Sequence, residues 1–225
     1  MTTRAGNQRY EKPADLPGRM LVFPLSGALL LPTGQMPLSI FEPRYLAMID
    51  HAMANDRIIG MVQPRLNQSD RSAIPQLADI GCAGRIVQFA ETGDGRYLIT
   101  LAGICRFRIL EEIDVNTPFR QCNVSATAYA DDFNPKFGED AVDRNALLQA
   151  FRHYLVAKDL ETDWDSVNEA SNASLVTALA MMAPAGPAEK QALLEASDYK
   201  SRAELLIAIT EIALAGGSEP FSSLQ

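Results

Sequence analysis

The sequence predicts an α+β chain: a β-rich N-terminal part holding one internal helix, followed by a C-terminal helical bundle. Three observations lead there. Four prolines (Pro24, Pro32, Pro37, Pro43) punctuate the most apolar stretch, residues 20–45. Rings at that spacing remove amide donors and bias the preceding residues toward extended backbone, so no helix runs through it. Two β-prone segments, 84–90 and 96–101, flank an Asp94-Gly95 pair, a dipeptide suited to tight hairpin turns, and the segment after Gly103 alternates. Beyond Asp131 the apolar side chains recur every three or four positions, which is the period of a helix.

Taken in order, residues 1–17 are polar and aperiodic and are expected to form a flexible arm. Residues 18–130 form the β-rich domain. Its first strand runs from Met20 to Leu25 and its second from Met36 to Phe41, with Ser26-Gly27 and Pro32-Thr33-Gly34 supplying turn chemistry between them. Glu42-Pro43-Arg44 opens a helix with proline near its first position, where the missing donor costs nothing. Tyr45, Leu46, Ile49, Ala52 and Met53 form its buried stripe, with His51 at the margin. A third strand follows at Arg57–Gln63, then a loop over 64–79. Gly84–Ala90 and Arg96–Leu101 flank the hairpin turn. After Gly103 a further strand puts Phe107 and Ile109 on one face and Arg106 and Arg108 on the other. A last strand spans Gln121–Ala130.

Residues 131–138 are turn-rich and read as a hinge, 139–215 as the helical bundle, and 216–225 as a flexible tail. In the bundle, Leu147, Ala150, Phe151, Tyr154 and Leu155 share one stripe. Leu175, Leu179 and Met182 share another, which stops at Pro184-Ala185-Gly186. Pro187 restarts a short helix through Ala196. Ser201 and Glu204 have the spacing of a capping box ahead of Leu205, Ile209 and Ile212.

Composition narrows the function classes. Apolar residues are 47% and charged residues 21% of the chain, an ordinary globular balance. The formal net charge of -8, with 28 acidic against 20 basic side chains, disfavours nucleic acid as a partner. Three widely spaced cysteines, Cys82, Cys105 and Cys122, suit buried free thiols in a reducing compartment, so a cytoplasmic location is expected. Arg19 and the apolar run after it do not fit a signal peptide, because Pro24 interrupts the run. No stretch approaches the roughly 20 apolar residues of a membrane span.

The ordered motifs resemble the N-terminal, LON substrate-binding domain of Lon proteases. Met20-Leu21-Val22-Phe23-Pro24-Leu25 and Pro37-Leu38-Ser39-Ile40-Phe41-Glu42-Pro43-Arg44-Tyr45 are similar to that family's first strands and helix entry. The Gly81–Val87 strand, the Asp94-Gly95 turn and Leu101–Ile109 are similar to its glycine-led hairpin. Pro187-Ala188-Glu189-Lys190-Gln191-Ala192-Leu193-Leu194-Glu195-Ala196 is similar to a segment of its helical part. The resemblance covers residues 18–215. It implies a PUA-like β pseudobarrel followed by helices, and a module that binds unfolded or damaged polypeptide or a protein partner. It also implies that Pro24, Leu25, Pro37, Ile40, Phe41, Glu42, Arg44, Tyr45, Gly103 and Arg106 are structural motif residues.

A full Lon continues into ATPase and Ser–Lys peptidase domains. This chain has no G-x-x-x-x-G-K-[ST] phosphate loop and no recognisable Ser–Lys site, so it looks like a stand-alone, non-enzymatic LON-domain protein needing no cofactor. The paired acids Asp131-Asp132, Glu111-Glu112 and Glu139-Asp140 read as solvated surface, because adjacent side chains on a strand point to opposite faces. Arg85, Arg96, Arg106 and Arg108 could make a positive strand face, the best feature for an alternative RNA-binding reading; a structural or oligomer-building role is the other alternative. The one candidate contact surface is the loop Ala28, Leu29, Leu30 and Leu31, because three consecutive leucines in a turn are not all expected to point inward.

Overall fold

The computed structural model describes residues 2–65 and 75–216, and the chain divides into two compact units after Phe137. Among the described residues the first unit holds eight strands: β1 (Thr3–Ala5), β2 (Gln8–Tyr10), β3 (Arg19–Pro24), β4 (Gln35–Ile40), β5 (Ile58–Val62), β6 (Ile80–Glu91), β7 (Tyr97–Ile113) and β8 (Arg120–Ser125). Helix α1 (Pro43–Met53) lies between β4 and β5. The main sheet runs β4-β7-β6-β5-β3-β8, and β8 also pairs with β7. Strands β7, β6, β5, β3 and β8 thus close a ring. Closure leaves β4 as an appended edge strand, where Pro37 is tolerated because the edge needs no second row of amide donors.

Strand β7 organises this ring. It is one continuous strand, not two, and it passes through Gly103. Its first half pairs with β4 from Tyr97 to Ala102 and its second half with β8 from Arg108 to Ile113, while β6 follows its other edge. Register shifts in the β6–β7 ladder mark the bulges that let so long a strand curve. Phe107 fills the interior and is wholly buried among Met20, Val22, Ile104 and Cys122. Gly60 and Gly81 leave room for it, since a Cβ on either would meet its ring at 2.7 Å.

Several expectations are corrected here. Residues 3–10, expected in a flexible arm, form the β1–β2 hairpin: Thr3 and Ala5 alternate inward along β1, and Tyr10 pairs across from Thr3 on the same buried face. The last strand stops at Ser125, and residues 127–133 form a 3-10 segment instead. Asp132 is no solvated acid and its segment no free hinge. The carboxylate accepts from the Arg106 backbone N–H at 2.9 Å and from its guanidinium Nη2 at 2.8 Å, and both side chains are over 90% buried. The guanidinium also lies 4.8 Å from the Tyr129 ring centre. Arg106 is therefore removed from the expected basic face. Arg85 donates to the Asp56 carbonyl and Arg96 pairs with Asp94 at 3.3 Å, so these arginines are committed to local partners.

The second unit is helical: α2 (Arg144–Ala157), α3 (Trp164–Glu169), α4 (Asn172–Met182), α5 (Pro187–Glu195) and α6 (Tyr199–Gly216). The cap of α6 differs from the Ser201–Glu204 expectation. Asp198 Oδ1 accepts from Ser201 N at 2.8 Å, so the helix begins one turn earlier. That backbone hydrogen bond holds the Asp198 carboxyl below the usual carboxylate range. The expected tail lies almost wholly beyond residue 216, outside the described residues, as does most of the loop expected over 64–79. Among the described residues no helix is long and apolar enough to cross a membrane.

All three cysteines are fully buried and unbridged. Burial pushes the Cys105 thiol far up and the Cys122 thiol up to about 11. At pH 8 only roughly 0.1% of Cys122 is then thiolate, the nucleophilic form. A colorimetric thiol reagent at pH 8 is expected to label none of the three in the native protein within minutes and all three in denaturant. Because the folded thiol is the weaker acid, its linkage to stability is favourable below about pH 8.5 and is lost as pH rises toward the folded value.

Candidate functional site

The Ala28–Leu31 loop is not an exposed contact surface. Leu29, Leu30 and Leu31 are 3%, 2% and 0% exposed, and Ala28 is half-buried. A tight turn brings all three leucines inward. Thr33 N donates to the Gly103 carbonyl at 3.0 Å, Gly103 N donates to the Gly34 carbonyl at 2.8 Å, and Gly34 N donates to the Leu31 carbonyl at 3.0 Å. Thr33 takes the left-handed conformation that allows the reversal, with φ 66°. The missing Cβ at Gly103 lets the Leu31 carbonyl come down directly on β7, and Leu30 packs over Gly84.

The motif residues fall into two groups. Ile40 is buried, and Tyr45 packs on Phe23 at 4.3 Å while its hydroxyl donates to the Pro24 carbonyl. Pro24 and Leu25 are half-buried, and Leu25 N donates to the Val62 carbonyl. Arg44 pairs with Glu42 at 2.8 Å and lies over the Tyr45 ring. Phe41, by contrast, stands 62% exposed. It lies just past Ile40, the last residue of β4, in the link that enters α1.

A concave apolar cleft lies in the helical unit. A cleft of about 320 Å³ is walled by Leu147, Phe151 and Tyr154 of α2, Leu179 and Met182 of α4, and Leu206 and Ile207 of α6. Asp143 accepts from Ala146 N to start α2, which then presents its stripe at three- and four-residue spacing. Ser171 caps α4 in the same way through Ser174 N. The end of α2 is turned by Asp159, whose φ is 53°, and Leu160 N returns to the Leu155 carbonyl at 2.9 Å. That turn hangs Leu160 and Glu161 over the cleft mouth. Leu160 is 53% and Met182 70% exposed, which makes the mouth apolar and, through methionine, adaptable. Phe151 also meets Trp164, the single tryptophan, with ring centres 6.1 Å apart.

Chemically, the cleft offers surface and shape. Its polar groups are the Glu161 carboxylate, the Tyr154 hydroxyl and the hydroxyls of Thr162 and Thr210, and Thr210 spends its donor on the Leu206 carbonyl. Such a lining recognises apolar side chains and has no paired nucleophile and base. Among the described residues no group of three or more His, Cys, Asp or Glu is placed to hold a metal ion. The sequence places these residues on helical stripes of the bundle and does not mark any of them as lining a cleft. The signal it held was the set of bulky residues, Phe151, Tyr154 and Met182, on stripes with too few neighbouring helices to cover them.

Comparison with known proteins agrees with this architecture. A family model described as the ATP-dependent protease La (LON) substrate-binding domain matches residues 19–211. Similar curated proteins include Lon protease 2 of Sorangium cellulosum, 24% identical over 199 residues, and Lon protease 2 of Myxococcus xanthus, 28% identical over 112 residues. The first match takes in 84% of this chain and 24% of the relative, the second 50% and 13%. Among solved structures, a Lon N-terminal domain protein from Xanthomonas campestris is similar at a TM-score of 0.58 and 23% identity, over 84% of this chain and 97% of that one. The N-terminal domain of a Mycobacterium avium complex Lon protease is similar at 0.61 and 19%, over 86% and 98%.

Proposed function

Because the chain belongs to the family of ATP-dependent protease La (LON) substrate-binding domains, we propose that it is a non-catalytic module that captures unfolded or damaged polypeptide for protein quality control. The observation that carries this reading is the apolar cleft of the helical unit, with its exposed Leu160 and Met182 at the mouth. An unfolded chain differs from a folded one chiefly in presenting bulky apolar side chains, and an open apolar cleft selects for them. The cytoplasm is the proposed location, in keeping with three buried, unbridged thiols.

Trp164 supplies the assay, since its ring neighbour Phe151 lines the cleft. Titration with a reduced, alkylated unfolded protein is expected to change Trp164 emission saturably. Leu160→Ser with Met182→Ser, both at exposed positions, is expected to weaken binding at least about tenfold, since apolar anchors in a cleft dominate such contacts. Folding, followed by circular dichroism, should be unchanged. Wild-type protein that ignores unfolded chains would sink the reading.

A further inference from the structure

The charge of the chain is divided very unevenly. Residues 1–137 hold fourteen acidic and fourteen basic side chains, whereas residues 138–225 hold fourteen acidic and six basic. The entire net charge of -8 therefore belongs to the helical half that contains the cleft. Even those six cations are largely committed. Arg144 donates to the carbonyls of Val167, Asn168 and Ala170, and Arg202 to those of Leu193 and Ala196. Arg152 lies 4.2 Å from the Trp164 ring centre, and Lys200 faces Glu204. At the cleft mouth the chain reads Asp159-Leu160-Glu161-Thr162-Asp163-Trp164-Asp165, with Lys158 the single basic residue of that turn. Asp159 and Glu161 are exposed and flank Leu160, and among the described residues neither carboxylate takes a hydrogen bond or ion pair.

Resting on the polypeptide-binding reading, we infer that the cleft selects apolar segments flanked by lysine or arginine. The apolar side chains enter between α2, α4 and α6, and the flanking cations meet the acidic turn that follows α2. Apolar burial alone is indifferent to flanking charge. A one-sign field around a low-dielectric cleft is not, because it concentrates cationic segments and repels acidic ones.

The test uses the full chain and two fluorescent peptides sharing one apolar core, one flanked by lysines and the other by glutamates. At low salt the lysine-flanked peptide is expected to bind at least about tenfold tighter, and the ratio should fall to within about twofold near 0.5 M salt, where screening is short-ranged. Asp159→Asn with Glu161→Gln should shrink the low-salt ratio several-fold, asparagine being at ease in the left-handed conformation of position 159. Equal binding of the two peptides by wild type overturns the inference and leaves polypeptide binding standing. A ratio that survives in the double variant overturns its assignment to this cleft. Failure of both peptides to bind overturns the inference and the polypeptide-binding reading together.

Discussion

Replacing Asp132 by alanine is expected to destabilise the β-rich unit by about 3–5 kcal/mol, the usual cost of stranding one partner of a buried ion pair. The carboxylate is a three-way joint. It takes the Arg106 backbone N–H and two guanidinium nitrogens, while its own backbone carbonyl receives Thr3 Oγ1 from β1. One residue thereby ties β7 to the 127–133 segment and to the N-terminal hairpin. Burial opposes the Arg106 charge, and hydrogen bonding and attraction to Asp132 more than offset it, holding the guanidinium above its ordinary value. Without the carboxylate, the buried guanidinium loses these hydrogen bonds and the anion that compensates its charge. Urea unfolding followed by far-ultraviolet circular dichroism measures the loss. Arg106→Met with Asp132→Leu should cost less than Asp132→Ala alone, because removing both charges removes the stranded one. A loss under about 1 kcal/mol for Asp132→Ala would show that the pair is not a joint of the fold.

Gly103→Ala is the second large effect. A Cβ at this position would overlap the Leu31 carbonyl. The backbone cannot slide away cheaply, because Gly103 both donates to Gly34 and accepts from Thr33. The expected cost is at or above the upper end of the ~1–3 kcal/mol typical of overpacking. The damage should be local first: the 29–34 turn lifts and its leucines become accessible. Increased binding of a hydrophobic dye at low urea, ahead of global unfolding, is the expected signature. A variant within about 0.5 kcal/mol of wild type and silent to the dye would refute the close approach.

Both residues show where sequence reading reached its limit. Gly103 stood out as a motif residue, yet its reason lies in a carbonyl 72 positions earlier in the chain. Asp132 read as one of a solvated pair, since local pattern cannot reveal that a guanidinium 26 positions back will be buried beside it. The strands and α1 were legible because prolines and two-residue alternation act locally. Residues 3–10 were not, because a three-residue strand carries too little alternation to register.

The cleft follows the same division. The sequence by itself determined that α2 and α4 carry apolar stripes and that the helical half is acidic, since both are properties of order and composition. Only the tertiary structure decided which apolar residues remain open. It sank Leu29–Leu31 through a turn clamped to Gly103, and it left Leu160 and Met182 at the mouth of a cleft between three helices. The physical reason is that burial is a property of neighbours. Three leucines in a row look like surplus apolar surface until a glycine on a distant strand lets their backbone approach, and a helical stripe looks like core until the helices around it prove too few to cover it.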